Sequence, residues 1–110
     1  MNKISKHREI CNDLNEIYEK KNKDYGDSFT KSFNSFGLVS SAIRLGDKFY
    51  RFENLIKSEE ALVKDESIED TLMDMANYCI MTLIEMDQVK KEINDLDLEL
   101  EKVGELTFDE

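Results

Sequence analysis

Acidic and amide side chains that could bind a metal ion occur inside an apolar stretch of the chain, DESIEDTLMDMANYCIMTLIEM, residues 65–86. At about 100° of rotation per residue, Glu66, Asp70, Asp74 and Asn77 fall on one side of a helix. From residue 72 to residue 86 this helix is apolar almost all round, which is typical of a helix surrounded by protein. The pattern therefore predicts that Asp74 and Asn77 are at least partly buried.

A buried carboxylate needs a cation or strong hydrogen-bond donors, because removing an ionised group from water is costly. Asp70 and Asp74 lie one helical turn apart and can converge on a divalent cation. Oxygen ligands with an amide nearby suit Mg²⁺ or Mn²⁺ better than zinc. The alternative is structural: Asp70 interacts favourably with the helix dipole near the helix start, and Asp74 pairs with an arginine. The spacing leaves both interpretations open.

A second group of charged side chains recurs at one-turn spacing in SAIRLGDKFYRFENLIK, where Arg44, Asp47, Lys48 and Arg51 line up on one helix face. Such a stripe is more often a solvated face than a binding site. Ion pairs of Asp47 with either arginine would then contribute only about 0.2 to 0.5 kcal/mol each.

The elements that carry these groups are predicted to be helices. The chain has no proline and only four glycines, and it is rich in Glu, Lys, Leu and Ile. The first helix is predicted from about Ser5 to Lys23, because its apolar residues recur at steps of three and four. Gly26 can close this helix in the left-handed conformation. We therefore expect an all-α protein.

Three further helices are predicted from caps and apolar spacing. A short helix carries three phenylalanines and ends at Gly37. The next helix opens with Ser40 or Ser41 as its cap. A polar loop, SEEALVKDE, then leads to Ser67, which caps the last helix with Asp70 three residues later.

The last helix has an apolar seam that alternates steps of three and four, the pattern of a coiled coil. Thr82 is its one polar member. The seam consists of Leu72, Met75, Cys79, Thr82, Met86, Val89, Ile93, Leu96, Leu100 and Val103. Beyond residue 87 the other faces are mostly charged, so the seam needs a partner, either another chain or the N-terminal helix. We favour another chain, and hence a homo-oligomer.

Charge and hydropathy exclude several classes of protein. The formal net charge of -10 repels polyanions, so nucleic acid is not an expected partner. There is no apolar N-terminal stretch, no run long enough to cross a bilayer, and no lipidation signature. We therefore expect a cytoplasmic protein with no membrane partner.

Three blocks together resemble a known family. KKNKDYGDSF, RLGDKFYRFENLI and DESIEDTLMDMANYCIMTLIE, within about residues 8–87, look like the small nucleotide-modification-associated domain of phages and bacteria. That domain in turn looks like a divergent relative of the MazG-like all-α nucleoside triphosphate pyrophosphohydrolases. The resemblance implies a MazG-like helical bundle in residues 1–87. Residues 88–110 would form the coiled-coil extension and tail.

In MazG-like enzymes, E-x-x-E and E-x-x-D motifs on two neighbouring helices hold Mg²⁺, which bridges the triphosphate and activates a water. The resemblance matches Asp74 to the closing Asp of the second motif, with Asp70 as an opening acid one residue further away. Asp47 stands where one acid of the first motif would be, and the other is replaced by the basic neighbourhood of Lys48 and Arg51. The resemblance implies that these three aspartates hold one or two Mg²⁺ or Mn²⁺ ions.

The same resemblance implies roles in substrate binding. Arg44, Lys48 and Arg51 would bind phosphate oxygens, the arginines through paired donors. Asn77 would orient a ligand or a phosphate oxygen.

The resemblance also implies a catalytic general base and a residue that stacks on the nucleobase. Glu66 or Glu69 would act as the general base, and nothing in the sequence chooses between them. In KKNKDYGDSF, Lys23 would reach a phosphate and Tyr25 would stack on a base, whereas the alternative is a capped turn.

The expected reaction is metal-dependent hydrolysis of a nucleoside triphosphate, possessing a normal or a modified base, to a monophosphate and pyrophosphate. The altered acidic motifs leave an alternative, a catalytically silent helical module that binds nucleotides or oligomerises through its extension.

Overall fold

The computed structural model describes residues 2–25, 27–58 and 61–108, except for the side chains of residues 24–25, 61–64 and 105–108. These residues form four helices: α1, Lys3–Tyr25; α2, Ser28–Phe36; α3, Leu38–Lys57; and α4, Ala61–Phe108. No strand occurs in the described part of the chain. The prediction of an all-α protein is confirmed.

The first two helices agree closely with the sequence pattern. α1 begins before Ser5 because the Asn2 side chain caps it: its Oδ1 accepts hydrogen bonds from the backbone N–H groups of Ile4 at 2.9 Å and Ser5 at 3.3 Å. In α2, Phe29 and Phe33 lie one turn apart and are both buried. The predicted role of Gly26 falls outside the described residues.

The junction between α2 and α3 is a single residue, Gly37, with φ 68° and ψ -150°. A side chain at this φ would be strained, and glycine adopts it readily. Because Gly37 turns the chain within one residue, α3 begins at once, and the predicted cap at Ser40 or Ser41 is wrong. Both serines are buried inside α3. Ser40 Oγ donates to the Gly37 carbonyl at 2.9 Å, and Ser41 Oγ accepts from Thr82 Oγ1 at 2.9 Å.

The last helix begins earlier than predicted. The segment proposed as a loop up to Ser67 is helical from Ala61, so Ser67 is not a cap. Its carbonyl instead accepts a hydrogen bond from Thr71 Oγ1 one turn later, at 2.6 Å. Residues 61–66 contain good helix formers and no glycine or proline, so nothing stops the helix from extending backwards. With 48 residues, α4 is about 72 Å long and sets the 76 Å length of the molecule.

The other three helices pack on the N-terminal part of α4, and α3 makes the most extensive contact. Contacts between their side chains show how α3 and α4 run relative to one another. Lys48 meets Asp74 and Ser41 meets Thr82, so α3 runs antiparallel to α4. The hydrophobic core among the described residues is small, and Leu14, Phe29 and Phe33 are its buried members.

The C-terminal part of α4 projects from this bundle. Every residue from 87 to 103, which we call the stem, is exposed. Its seam side chains are therefore uncovered in the single chain: Val89, Ile93, Leu96, Leu100 and Val103. Ile10 of α1 is also 41% exposed. In the described residues, therefore, the N-terminal helix does not cover the seam, and this alternative is not observed. No helix in the described ranges has a stretch that is long and apolar enough to cross a membrane.

Candidate functional site

A cavity of about 390 Å³ lies where the four helices meet, within the size range of small-molecule sites. Three cationic side chains line it, Lys21 from α1 and Arg44 and Lys48 from α3. The chain as a whole carries a net charge of -10. Three carboxylates among the described residues line it as well, those of Asp27, Asp74 and Glu85. The ammonium and guanidinium groups are the side chains there that can bind an anionic ligand.

Asp74 lies between two of the cationic side chains of the cavity. Its Oδ1 accepts a hydrogen bond from Lys21 Nζ at 2.8 Å, and its Oδ2 accepts one from Lys48 Nζ at 2.9 Å. The Asp74 side chain is 21% exposed, as the apolar surroundings predicted. Burial by itself raises the pKa of Asp74, but the hydrogen bonds and charges of the two lysines outweigh it and lower the pKa below 3.8. Asp74 therefore stays ionised and holds two ammonium groups from two helices.

Arg44 lies beside Asp74's helix on an aromatic surface. Its guanidinium carbon is 5.6 Å from the ring centre of Phe29 and 5.8 Å from that of Tyr78. The two rings are themselves stacked, 6.1 Å apart and inclined by 22°. A weak hydrogen bond of 3.4 Å runs from the guanidinium to Ser32 Oγ. These contacts position Arg44 through cation–π attraction, without a described carboxylate partner.

Two buried polar side chains of α4 complete the cavity wall. Asn77, 9% exposed, donates from Nδ2 to the backbone carbonyl of Leu14 at 3.1 Å and so ties α4 to α1. Glu85, also 9% exposed, accepts a hydrogen bond from the Thr30 hydroxyl of α2. The burial predicted for Asn77 is confirmed, and its amide serves at least to join two helices.

The structure brings together only part of the predicted site. Arg44, Lys48, Asp74 and Asn77 line the cavity. The remaining described candidates have exposed side chains and do not line it: Lys23, Asp47, Arg51, Glu66, Glu69 and Asp70. The side chain of Tyr25 lies outside the described residues. Roles for these residues therefore stay predictions.

Lys21, Thr30 and Glu85 were not singled out from the sequence. One signal for Glu85 was available: it follows Asp74 by three helical turns and so lies on the same side of α4. Lys21 belongs to a run of lysines in which nothing local distinguishes the one that reaches the cavity. Asp74 forms ion pairs with Lys21 and Lys48 and not with an arginine, the partner that the structural alternative named.

A metal site would need several ligands close together. Within the described ranges, no group of three or more His, Cys, Asp or Glu side chains is placed to hold a metal ion. Both oxygens of Asp74 bind lysines, and Asp47 and Asp70 face solvent. By itself the described chain does not form a cage of carboxylates for Mg²⁺. Mg²⁺ needs no such cage when substrate phosphates supply the other ligands.

Comparison with known protein families gives a match. Residues 21–86 match the model of the family described as nucleotide modification associated domain 1. No curated protein and no solved structure matches the chain. The matched segment runs from Lys21 to just beyond Glu85 and so includes all the charged residues of the cavity. Since it covers more than half of the 110 residues, the chain belongs to the nucleotide modification associated domain 1 family.

Proposed function

We propose that this protein binds a nucleoside triphosphate, with a normal or a modified base, in the four-helix cavity. The observation that carries the proposal is the bridge in which Asp74 holds Lys21 and Lys48 beside Arg44. Ammonium and guanidinium groups are the side chains that bind phosphate oxygens most strongly. The family description, which concerns nucleotide modification, is consistent with such a ligand.

Asp74 has a definite task in this scheme. Without it, two ammonium groups from α1 and α3 would repel one another at the mouth of one cavity. With it, they are held close together before a ligand arrives, and an ammonium group can donate up to three hydrogen bonds. The pair with Lys21 is the more exposed of the two, because the Lys21 side chain is 56% exposed against 28% for Lys48. Lys21 can therefore leave Asp74 for a phosphate at lower cost.

The reaction that we propose is hydrolysis of the triphosphate to a monophosphate and pyrophosphate, on a MazG-like helical bundle. What supports it is the resemblance of the motif around Asp70 and Asp74 to that of MazG-like enzymes. Mg²⁺ or Mn²⁺, when bound, would neutralise phosphate charge and lower the pKa of a bound water. Asp74 would hold the ion together with the phosphates, while Lys48 and Arg44 would bind the remaining phosphate oxygens. Roles for Asp47 and Asp70 as metal ligands and for Glu66 or Glu69 as base belong to the same proposal.

A second candidate is a module that binds nucleotides without turning them over. The observation that favours it is that both oxygens of Asp74 are occupied by lysines and that no cluster of three metal ligands surrounds it in the described chain. Binding needs only the three cations. Catalysis also needs an ion and an oriented water.

We further propose that the protein works as a homo-oligomer. Only three hydrophobic side chains of the described chain are buried, whereas large apolar residues of α3 and the stem are exposed, Val39 at 63%, Ile43 at 60% and Leu100 at 63% among them. Uncovered apolar surface on this scale favours association, at roughly 25 cal/mol per Å² buried. A coiled coil formed by the stem is the arrangement that the seam predicts.

One experiment tests both candidates. The full-length protein is titrated calorimetrically with deoxynucleoside triphosphates, with and without Mg²⁺, and pyrophosphate release is measured in the same mixtures. Binding and release would support the hydrolase. Binding without release would support the silent module. Absence of binding by every triphosphate, with and without Mg²⁺, would contradict the proposed nucleotide site.

A further inference from the structure

Glu85 is a buried carboxylate for which the phosphate-binding scheme has no use. It lines the cavity, is 9% exposed, and receives one hydrogen bond from a described residue, that of Thr30. No side-chain oxygen or nitrogen in the described residues is both sealed from solvent and without a hydrogen bond. The second carboxylate oxygen of Glu85 is therefore reached by solvent, and Glu85 lines the cavity.

Glu85 lies well away from Asp74 along α4. Glu85 and Asp74 lie on the same side of α4, three turns and about 16 Å apart along the helix axis. Tyr78 and Met81 line the cavity between them, and Phe29 adjoins from α2. The cavity thus has the ion pairs of Lys21 and Lys48 with Asp74 at one end and Glu85 at the other, and the Phe29 and Tyr78 rings, with the Arg44 guanidinium lying on them, in between. A nucleotide also has two unlike ends, with phosphates at one end and a flat, largely apolar base at the other.

A carboxylate at the base end is a selective group. An ionised carboxylate only accepts hydrogen bonds, so it attracts an amino group and repels a carbonyl oxygen. Cytosine, adenine and guanine carry an exocyclic amino group, whereas uracil and thymine carry carbonyl oxygens. Holding the chain together does not require this group: an uncharged amide could accept from Thr30 at a lower desolvation cost.

Building on the proposed nucleotide site, we propose that Glu85 selects the base. Its open carboxylate oxygen accepts a hydrogen bond from the exocyclic amino group, and the Thr30 hydroxyl fixes the carboxylate orientation by holding its other oxygen. The protein accordingly prefers nucleotides with amino-bearing bases to those in which a carbonyl replaces the amino group.

Matched nucleotide pairs test this on the unaltered protein. In dUTP compared with dCTP, and in dITP compared with dATP, a carbonyl replaces the amino group and the neighbouring ring nitrogen gains a proton. Tripolyphosphate, which has no base, reports on the phosphate site alone. We expect the amino member of at least one pair to bind about tenfold or more tightly than its partner, the usual effect of one hydrogen bond to a charged group.

Glu85→Gln should then reduce this ratio about tenfold while leaving tripolyphosphate affinity unchanged, because the amide presents a donor as well as an acceptor. Glu99→Gln, at an exposed position of the stem, is the charge-matched control and should keep the preference. A purely structural Glu85 would lower the melting temperature in Glu85→Gln without changing the ratio, which contradicts the inference.

The outcomes separate the two proposals. Tripolyphosphate binding with equal affinities inside both pairs would overturn base selection by Glu85 and leave the phosphate site standing. Failure of tripolyphosphate and of every nucleotide to bind would overturn both. If Glu85→Gln does not fold, the ratios measured with the unaltered protein still decide.

Discussion

Lys48 Nζ lies 2.9 Å from Asp74 Oδ2, and this ion pair joins α3 to α4 inside the cavity. Lys21 of α1 reaches the other oxygen of the same carboxylate. One side chain thus fixes three helices around the proposed phosphate site, and stability and binding are coupled there.

The stability of the protein should depend on the ionisation of Asp74. Because its pKa is lowered in the folded state, the ion pairs contribute fully above the ordinary value of 3.8 and are lost as the pH falls through the folded pKa. Asp74→Asn should therefore melt below the unaltered protein near neutral pH, and the difference should shrink as the pH falls below 3.8 and through the lowered pKa of Asp74. Thermal melts followed by circular dichroism across this range check it. Asp97→Asn, at an exposed stem position, is the control, and a difference that does not vary with pH would contradict the assignment.

Metal binding should depend on the triphosphate. Because lysines occupy Asp74 and no carboxylate cage surrounds it in the described residues, Mg²⁺ or Mn²⁺ alone should raise the melting temperature little. With a triphosphate present, the same ion should raise it further, since a ligand bound only to the folded state stabilises that state. Asp74→Asn should remove this additional rise. A large rise with the ion alone would instead indicate a preformed metal site, with Asp70→Asn and Asp47→Asn as the next variants to test.

Phosphate affinity should depend on the cations of the cavity. Lys48→Ala and Arg44→Ala should each weaken tripolyphosphate binding about tenfold or more, because each removes a charge-assisted hydrogen bond. Calorimetric titration measures this, with Lys90→Ala and Arg8→Ala as controls at exposed positions. Arg51→Ala, titrated alongside, tests the residue that the sequence pattern placed with Arg44. If Lys48→Ala and Lys90→Ala bind tripolyphosphate with equal affinity, the α3 cations have a structural role and do not bind phosphate.

Asn77 should act on stability more than on binding. Asn77→Ala removes the buried hydrogen bond to the Leu14 carbonyl and should lower the free energy of unfolding by about 1 to 3 kcal/mol. Urea denaturation measures this value. Tripolyphosphate affinity should stay within about twofold of the unaltered protein. A loss of affinity without a loss of stability would support the role in orienting a ligand that the family resemblance implied.

The stem should mediate self-association. Truncation after Gln88 should lower the mass measured by light scattering and the melting temperature, and the full-length protein should melt higher at higher concentration. Ile93→Glu tests the same surface without shortening the chain, because it places a charge in the apolar seam. Asp95→Asn, off the seam, is its control. A full-length protein that scatters as a monomer at micromolar concentrations would contradict self-association.

The sequence by itself determined the elements and much of their burial. The phenylalanines of α2, spaced by one turn, indicated which side of that helix faces inward, and two of them are buried. The apolar residues around Asp74 and Asn77 indicated that both polar side chains are partly buried, and they are. The expectation that protein surrounds this stretch is wrong for the single chain, because several of its apolar side chains are exposed: Leu72, Ile80, Leu83 and Ile84. Helix starts were less well determined. α3 begins directly after Gly37, whose positive φ turns the chain, and α4 begins at Ala61, so the serine caps predicted at residues 40, 41 and 67 are wrong.

Only the tertiary structure decided which charges meet. Lys21 and Asp74 are 53 residues apart in the sequence, and Thr30 and Glu85 are 55 apart. Helical periodicity places each side chain on a face, but the packing and register of one helix on another decide which faces are opposed. For this reason the sequence predicted a buried carboxylate at position 74 and could not tell a metal ion from an arginine or from the two lysines that hold it.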